Sequence, residues 1–450
     1  MPIARTRSIQ IAAAAPGNPA SVDTTTGLVD VTGLTFRTIE CDYASINWAA
    51  EQPLKIDNTS TTGFEGRAPE LDSMCGSAGA PTRRASGDVT ISGIPMRAYG
   101  AGPATGSAAQ ADSTEMPLVQ VLASVLDYAN HGGGLFVISN PGANAGEFET
   151  ITALNVGEIV LASVDGRIEA ARVTDSVDTG VGFGPYMNTV GTYFSRALTG
   201  ADDLTRGSNF QMLTGSSTGT VGAALAAKIP TAGGTMTCVM GRASSLRFYV
   251  SDGFWHCDAT IRFEWVDPDI SGAGTVTSPD RTAGAVSKFH GVRPCMSVDA
   301  SPEVVDPSFT STRLALNEVN NDVEVNVAIT LAPIAATDTQ VTVSDLDVTM
   351  MTVTASLGFN ELQTSLRTDI ENRKARMLVL PGCPVSDGAT QANGCAFVLS
   401  AAYQNTDTSV LGMGGELLEQ RLDLTAGIYG GDNGSETYNN APFAIYLGGA

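Results

Sequence analysis

The segment from residue 86 to residue 174 joins a strand, a helix and a hairpin in a chain otherwise patterned as strands. Its three parts read SGDVTISGIPMRAYG (residues 86–100), MPLVQVLASVLDY (116–128) and VGEIVLASVDGRIEAARVT (156–174). In the first part, Val89 and Ile91 alternate with polar residues, which is typical of a half-buried strand. The third part predicts two strands joined by a tight turn at Asp165-Gly166. Together they favour a sheet covered by one helix.

The middle part has the 3.6-residue period of an amphipathic helix. Pro117 is tolerated in a first helical turn, and His131 with the three glycines after it predicts the helix end. The apolar residues recur on one face, which predicts that this face packs on the sheet. They are Leu118, Val121, Leu122, Val125, Leu126 and Ala129.

Short alternating segments separated by Gly, Pro, Ser, Thr, Asn and Asp fill most of the remaining chain. In the clearest of them apolar residues occupy every second position, namely in residues 246–250, 261–265, 323–329, 422–428 and 443–447. A second helix is predicted over residues 359–377, where Leu362, Leu366 and Ile370 recur at four-residue intervals. The predicted fold class is therefore mainly β with few helices.

The length of 450 residues suggests two domains. A segment rich in Gly, Pro, Ser, Thr and Asp, residues 265–295, predicts a boundary near residue 290. It divides the chain into residues 1–290, which begin with an N-terminal arm, and residues 291–450. Both parts contain several strands, so the second is either a divergent duplicate of the first or the completion of one fold.

The charge balance is strongly acidic, with 25 basic and 47 acidic residues and a net charge of −22. Affinity for nucleic acid depends on Lys and Arg displacing counterions from phosphates, so this composition argues against tight DNA binding. No segment approaches the roughly 20 apolar residues of a membrane-spanning helix. Membrane insertion is not expected.

The seven cysteines are odd in number and form no CxxC pair, which favours free thiols over a disulfide framework or a zinc site. The pairs nearest to forming disulfides are Cys238 with Cys257 and Cys383 with Cys395. Short acidic segments lack the ligand spacing of a calcium loop. We expect neither a metal nor a cofactor.

The order of strand, helix, glycine run and hairpin in residues 86–174 resembles the tail tube protein, or major tail protein, of long-tailed bacteriophages. The segment GRASSLRFYVSDGFWHCDATIRFEW (residues 241–265) and the C-terminal strands in residues 407–448 fit the same family. The resemblance implies a tail-tube-type β-sandwich or barrel domain packed by the helix in residues 1–290. A second β-rich domain follows in residues 291–450.

The resemblance further implies a structural virion protein without enzymatic activity, assembled in the host cytoplasm and located in the tail. Its copies would form stacked rings that DNA crosses as passing cargo during ejection, with other phage tail proteins as further partners. Three copies close a ring if each half is a tube domain, and six if only one is; six is the preferred number. A negative wall would keep the DNA from adhering.

A long polar loop, residues 58–86, lies before the first quoted strand. Loops of this length in compact domains are usually functional or disordered. In the tail tube resemblance, the corresponding loop reaches the neighbouring ring, so Arg67, Arg83 and Arg84 are candidates for ion pairs between rings. The alternative is a solvated loop without a role in stacking.

Two alternatives to the tube remain. Another ring of the tail, such as a terminator, or a capsid decoration protein would close without stacking. A serine esterase is the enzymatic alternative, because HGGG at residues 131–134 and GSSTG at 215–219 match the oxyanion and nucleophile motifs of α/β-hydrolases, with Ser217 as nucleophile. The predicted context is wrong for both motifs, and only His256 and His290 follow as bases.

Overall fold

The structure is a computed structural model. It describes residues 9–13, 21–22, 29–31, 34–51, 84–97, 116–136, 138–141, 147–150, 159–164, 167–177, 186–189, 204–212, 224–231, 234–267, 286–289, 294–296, 314–315, 319–334, 345–359, 375–383, 394–410, 419–427 and 441–448.

These residues form one helix, α1 (Pro117–Ala123), and a large set of antiparallel strands, which confirms the predicted mainly β fold class. The strands are β1 (Gln10–Ala13), β2 (Ser21–Val22), β3 (Val29–Asp30), β4 (Arg37–Thr38), β5 (Tyr43–Glu51), β6 (Arg84–Pro95), β7 (Asp127–Phe136), β8 (Ile138–Pro141), β9 (Glu147–Thr150), β10 (Ile159–Val164), β11 (Arg167–Val177), β12 (Tyr186–Thr189), β13 (Leu204–Gln211), β14 (Leu225–Thr231), β15 (Gly234–Ser251), β16 (Phe254–Asp267), β17 (Lys288–Phe289), β18 (Cys295–Met296), β19 (Leu314–Ala315), β20 (Val319–Ile334), β21 (Asp345–Phe359), β22 (Ala375–Cys383), β23 (Cys395–Val410), β24 (Glu419–Gly427) and β25 (Phe443–Gly448).

Eight of these strands lie side by side in the order β5-β6-β16-β15-β20-β21-β24-β23, and every neighbouring pair is antiparallel. We call them the eight-strand row. The first four strands, the N-terminal unit, consist of the pair β5/β6 and the pair β15/β16, joined through β6 and β16. The last four, the C-terminal unit, consist of β20/β21 and β23/β24, joined through β21 and β24. The two units therefore have the same strand order.

Two further strands close six strands of the row, from β16 to β23, into a circuit that leaves β5 and β6 outside. The short strand β17 pairs with β16 and with β22, and β22 pairs with β23. Aromatic side chains fill the interior of this circuit, where the ring centroids of Phe248 and Trp255 lie 5.0 and 4.6 Å from that of Phe397. Phe443 and Phe289 pack on the same group. Contacts at these distances are typical of aromatic pairs in a packed core.

A second layer covers part of this circuit. Strands β22, β23 and β25 bury side chains on both faces, which is why their sequences are apolar almost without alternation. Ile159 and Leu161 of β10 pack on the outer face, against Val379, Val398 and Tyr446. Beyond them, β10 pairs with β11 and β13, and β13 continues to β25 and β7.

The helix is shorter than the sequence predicted. It ends at Ala123, where the Ser124 hydroxyl donates to the Val121 carbonyl (2.7 Å) and the Ser124 carbonyl accepts a hydrogen bond from the buried Arg242 guanidinium (2.6 Å). Five of the six apolar residues predicted on its packing face are buried, with Val125 and Leu126 lying just beyond the helix end. These five are Leu118, Val121, Leu122, Val125 and Leu126; the sixth, Ala129, belongs to β7 and not to the helix.

The prediction that HGGG ends the helix is wrong. His131 to Gly134 lie inside β7, whose backbone pairs with β13. The apolar face therefore stops at Leu126, and from Asp127 onward sheet pairing prevails over the helical period. The second predicted helix, residues 359–377, has β21 up to Phe359 at its start and β22 from Ala375 at its end. The residues between lie outside the described part.

The predicted hairpin at Asp165-Gly166 forms, and the alternating segments 246–250 and 261–265 belong to a second one. β10 and β11 pair up to Val164 and Arg167 on either side of Asp165-Gly166. β15 and β16 meet at Asp252 and Gly253, whose φ angles of 51° and 79° are those that a type I′ turn requires.

The predicted boundary near residue 290 is crossed by sheet pairing, because β15 pairs with β20 and β17 with β22. One hydrophobic core contains residues from both sides of it. The division into residues 1–290 and 291–450 stays a prediction, and no break in packing marks it among the described residues.

Two expected absences concern the membrane and disulfides. Within the described ranges, no helix has the length and apolar character needed to cross a membrane. The cysteines whose side chains the structure describes are not joined in disulfides; they are Cys41, Cys238, Cys257 and Cys395. Cys238 and Cys257 therefore form no disulfide, and neither do Cys395 and Cys383.

Candidate assembly surface

The eight-strand row has one apolar face and one polar face. On the first, buried residues such as Val89, Ile261 and Val325 face the core. On the second, residues at the alternate positions are polar or charged and partly or fully exposed. Because successive side chains of a strand point to opposite faces, the alternation alone separates the two. We call the second surface the polar face.

The best-connected group on the polar face surrounds Arg247 of β15. Its guanidinium lies 2.6 Å from the Glu324 carboxylate on β20 and 3.6 Å from the Asp258 carboxylate on β16. The hydrogen bond to Arg247 lowers the pKa of Glu324, and the same bond raises the pKa of Arg247. This pair bridges the point where the N-terminal unit meets the C-terminal unit.

Tyr249 extends this group. Its ring lies under the Arg247 guanidinium (4.7 Å) and stacks on His256, with 5.8 Å between ring centroids. Its hydroxyl lies 3.3 Å from Asp258. Burial first, and the nearby Asp258 carboxylate second, raise the pKa of Tyr249 to about 12. The phenol is therefore neutral at physiological pH.

Asp258 also holds the backbone of β6. It accepts a hydrogen bond of 2.8 Å from the Gly93 amide, and Gly93 has a φ angle of 72°. A Cβ at this position would collide with the Asp42 side chain. Gly93 thus allows the backbone to pass between two carboxylates.

The other two arginines of the polar face are also paired. The Arg421 guanidinium lies 3.0 Å from Asp322 and 3.6 Å from Asp423. Three arginines of the described polar face thus each lie near two carboxylates; the sets are Arg247 with Glu324 and Asp258, Arg262 with Asp88 and Glu264, and Arg421 with Asp322 and Asp423. These groups together carry an excess of negative charge.

The two ends of the eight-strand row are open edges among the described residues. At one end, β5 pairs only with β6. At the other, β23 pairs with β22 only up to Tyr403, so residues 404–410 pair with β24 alone. An open edge presents unpaired backbone groups to another strand. Sequence reasoning singled out neither edge, because alternation shows that a strand exists but not which strands lie at an end.

The predicted stacking residues are Arg67, Arg83 and Arg84. The first two lie outside the described residues. Arg84 belongs to the first position of β6, where it pairs in register with Glu51, so the loop ends before it and not at residue 86. Regular sheet pairing with β5 accounts for the shift of this boundary.

The esterase motifs are not brought together in the described part of the chain. Ser217 and His290 lie outside it, His256 stands on the polar face beside Tyr249, and the HGGG glycines belong to β7. Burial raises the pKa of the Cys257 thiol well above its usual value, which keeps that thiol unreactive. No group of three or more His, Cys, Asp or Glu side chains suited to a metal occurs among the described residues.

No protein-family model matches this sequence, and no curated protein matches it either.

Proposed function

We propose that this chain is a structural subunit of a phage tail tube, whose copies join edge to edge into rings that stack around a conduit for DNA. The observation that carries the proposal is the eight-strand row, which ends in two open edges and has one polar face. Pairing the edge of one copy with the opposite edge of the next satisfies both sets of backbone groups. Such head-to-tail contacts generate rings when the rotation closes.

The polar face supports the role of a conduit wall. DNA adheres to proteins through Lys and Arg that displace counterions from its phosphates. On this face the arginines are held by carboxylates of the same sheet, as at Arg247 and Glu324. A wall whose arginines are paired with carboxylates in this way repels DNA and does not bind its phosphates.

The repeated strand order supports three copies per ring. The resemblance to tail tubes implies six tube units, and each chain here contains two four-stranded units with the same order. This revises the preference for six copies that the sequence alone suggested. The location in the virion tail follows from the same proposal.

Electron microscopy of the purified chain tests the proposal. We expect stacked rings of uniform diameter, each with the mass of three chains by native mass spectrometry of its smallest assembly. Single rings that never stack would indicate a terminator or decoration protein instead. A monomer at all concentrations would contradict ring formation altogether.

Edge variants sharpen this test. The double variant Ser45→Lys/Asn47→Lys places two charges on β5, and lysines on an edge strand oppose strand addition. We expect it to remain monomeric. The matched control Thr352→Lys/Thr354→Lys adds the same charge to β21, in the middle of the C-terminal unit, and should still assemble.

A further inference from the structure

The two four-stranded units agree in more than strand order. In β15 one extra residue, Ser244, lies opposite the step from Thr260 to Ile261 of β16. In β23 one extra residue, Asn405, lies opposite the step from Asp423 to Leu424 of β24. A β-bulge interrupts the ladder at one position and re-aims the strand. The same irregularity therefore occurs in the corresponding strand of each unit.

Superposing the units on this bulge aligns all four strands. In three of the four strand pairs the recorded pairings place core residues on core residues; in the fourth, β15 with β23, the bulge places Leu246 and Phe248 on Asp407 and Ser409. The matched positions are Ala44 with Val323, Val89 with Ala355, Ile91 with Leu357, Ala259 with Leu422, and Ile261 with Leu424. In those three pairs a shift of one residue would have placed a core residue on a polar one, and in β15 and β23 the shared bulge sets the register. The units are therefore equivalent in register.

Because the units are equivalent, the junction between them inside one chain indicates how the units of two neighbouring copies can pair. β15, the last strand of the N-terminal unit, pairs with β20, the first strand of the C-terminal unit, with Arg247 opposite Asn326. The last strand of the C-terminal unit is β23, and the first strand of the N-terminal unit is β5. The strands equivalent to β15 and β20 are thus the two open edges of the row.

We propose that neighbouring copies join through β23 of one and β5 of the next, in the register of the β15/β20 junction. This inference rests on the proposed function and specifies its contact. The predicted antiparallel partners are Thr406 with Ala49, Asp407 with Trp48, Thr408 with Asn47, Ser409 with Ile46, and Val410 with Ser45 of the next copy.

The chemistry of the two junctions differs. The junction within the chain carries the Arg247–Glu324 ion pair. The positions equivalent to these residues are Thr408 and Ser45, which are uncharged. The contact between copies therefore depends mainly on backbone hydrogen bonds. Its strength should depend less on salt than that of the junction within the chain, because no ion pair occupies the positions of Arg247 and Glu324.

Disulfide cross-linking of the assembled full chain tests the register. Residues directly opposite in an antiparallel pair have Cα atoms about 4.5–5.5 Å apart, within the range of a disulfide. The variant Asn47→Cys/Thr408→Cys should, on mild oxidation, lose its monomer band and form dimers and trimers on non-reducing gels. Reduction should restore the monomer.

The control Asn47→Cys/Ser409→Cys moves one cysteine by a single residue, which turns it to the other face of the sheet. It should stay monomeric on the gel, as should each single variant, which accounts for the native cysteines. Tubes in the microscope with no cross-link in Asn47→Cys/Thr408→Cys, or with an equal yield in the control, would overturn this register while leaving the tube intact. Failure to assemble and to cross-link would overturn both proposals.

Discussion

At the residue scale, charge pairs on the polar face illustrate what a sequence shows and what it leaves open. The alternation of Val323 and Val325 with Glu324 predicts that the carboxylate points away from the core. It does not predict Arg247 as partner, because β15 and β20 are far apart in the chain and their register is set by the packed sheet. The sequence likewise does not explain why residue 93 is a glycine. The reason is its positive φ angle and the nearby Asp42 side chain, which only the folded structure shows.

We predict a pH-dependent loss of stability in Glu324→Gln. Because the pKa of Glu324 is lowered in the folded protein, its ion pair stabilises the fold above the ordinary glutamate pKa and is lost as the pH falls through the lowered value. Arg247 is about half exposed, so the loss at pH 7 should be about 0.5 kcal/mol. Urea denaturation at pH 7 and at pH 3 measures it.

The stability difference between the two proteins should shrink as the pH falls from 7 to 3, because Glu324 of the wild type becomes protonated first in the unfolded state and then, at its lowered pKa, in the folded state. Asp347→Asn removes an exposed carboxylate of β21 and should change little at either pH. A difference between wild type and Glu324→Gln that persists unchanged at pH 3 would contradict the ion-pair explanation.

At the element scale, sequence periodicity identified the strands well and the helix less well. The period-two runs of β15, β16, β20, β24 and β25 lie in strands as predicted. The apolar face of α1 was predicted correctly, but its end was not. Val125 and Leu126 continue the apolar pattern after the helix has stopped, because they pack on the same core. Apolar periodicity indicates burial, and burial continues past Ala123, the last residue of the helix.

A substitution at Leu122 tests how much the packing of this helix contributes to the stability of the fold. The side chain of Leu122 is fully buried in the core that also contains residues of β1 and β15. Leu122→Ala should lower the free energy of unfolding by about 2–5 kcal/mol, because a cavity remains where the methyl groups packed. Thermal and urea denaturation measure the loss.

The neighbouring position Ala123 provides the control. It is only partly buried, and Ala123→Ser changes little volume, so it should cost much less than Leu122→Ala. Equal losses in the two variants would show that the helix is sensitive to any change, and that the packing of Leu122 is not the cause.

At the scale of the whole molecule, the acidic balance predicted weak DNA binding but not how the arginines would be arranged. On the described polar face, Arg247, Arg262 and Arg421 each lie near two carboxylates. The strand order of the eight-strand row was also beyond sequence reasoning, since pairing between distant strands depends on the folded core. A divergent duplication, by contrast, was already one of the alternatives.

Removing carboxylates from the polar face should make the assembly retain DNA. Glu324→Gln/Asp322→Asn leaves Arg247 and Arg421 with one carboxylate each, so both can attract phosphates. We expect this variant to bind duplex DNA at low salt, with affinity that falls as salt rises. Filter binding across a salt series measures it, with wild type showing little retention.

A charge-matched control distinguishes an effect of the polar face on DNA binding from an effect of net charge. Asp252→Asn/Asp347→Asn removes the same number of charges, from a turn and from the outer part of β21. It should bind no more DNA than wild type. Equal binding by both double variants would contradict a specific role for the paired arginines.

The β15/β20 junction has a kinetic consequence. It forms when a single polypeptide folds. In a three-copy ring, the three junctions within the chains would therefore need no encounter between molecules, and only the three junctions between copies would. Tethering replaces a search through solution by a search within one molecule. Cutting the connection between the two units, near residue 290, should therefore turn rapid growth into a process with a pronounced lag and a steeper dependence on protein concentration.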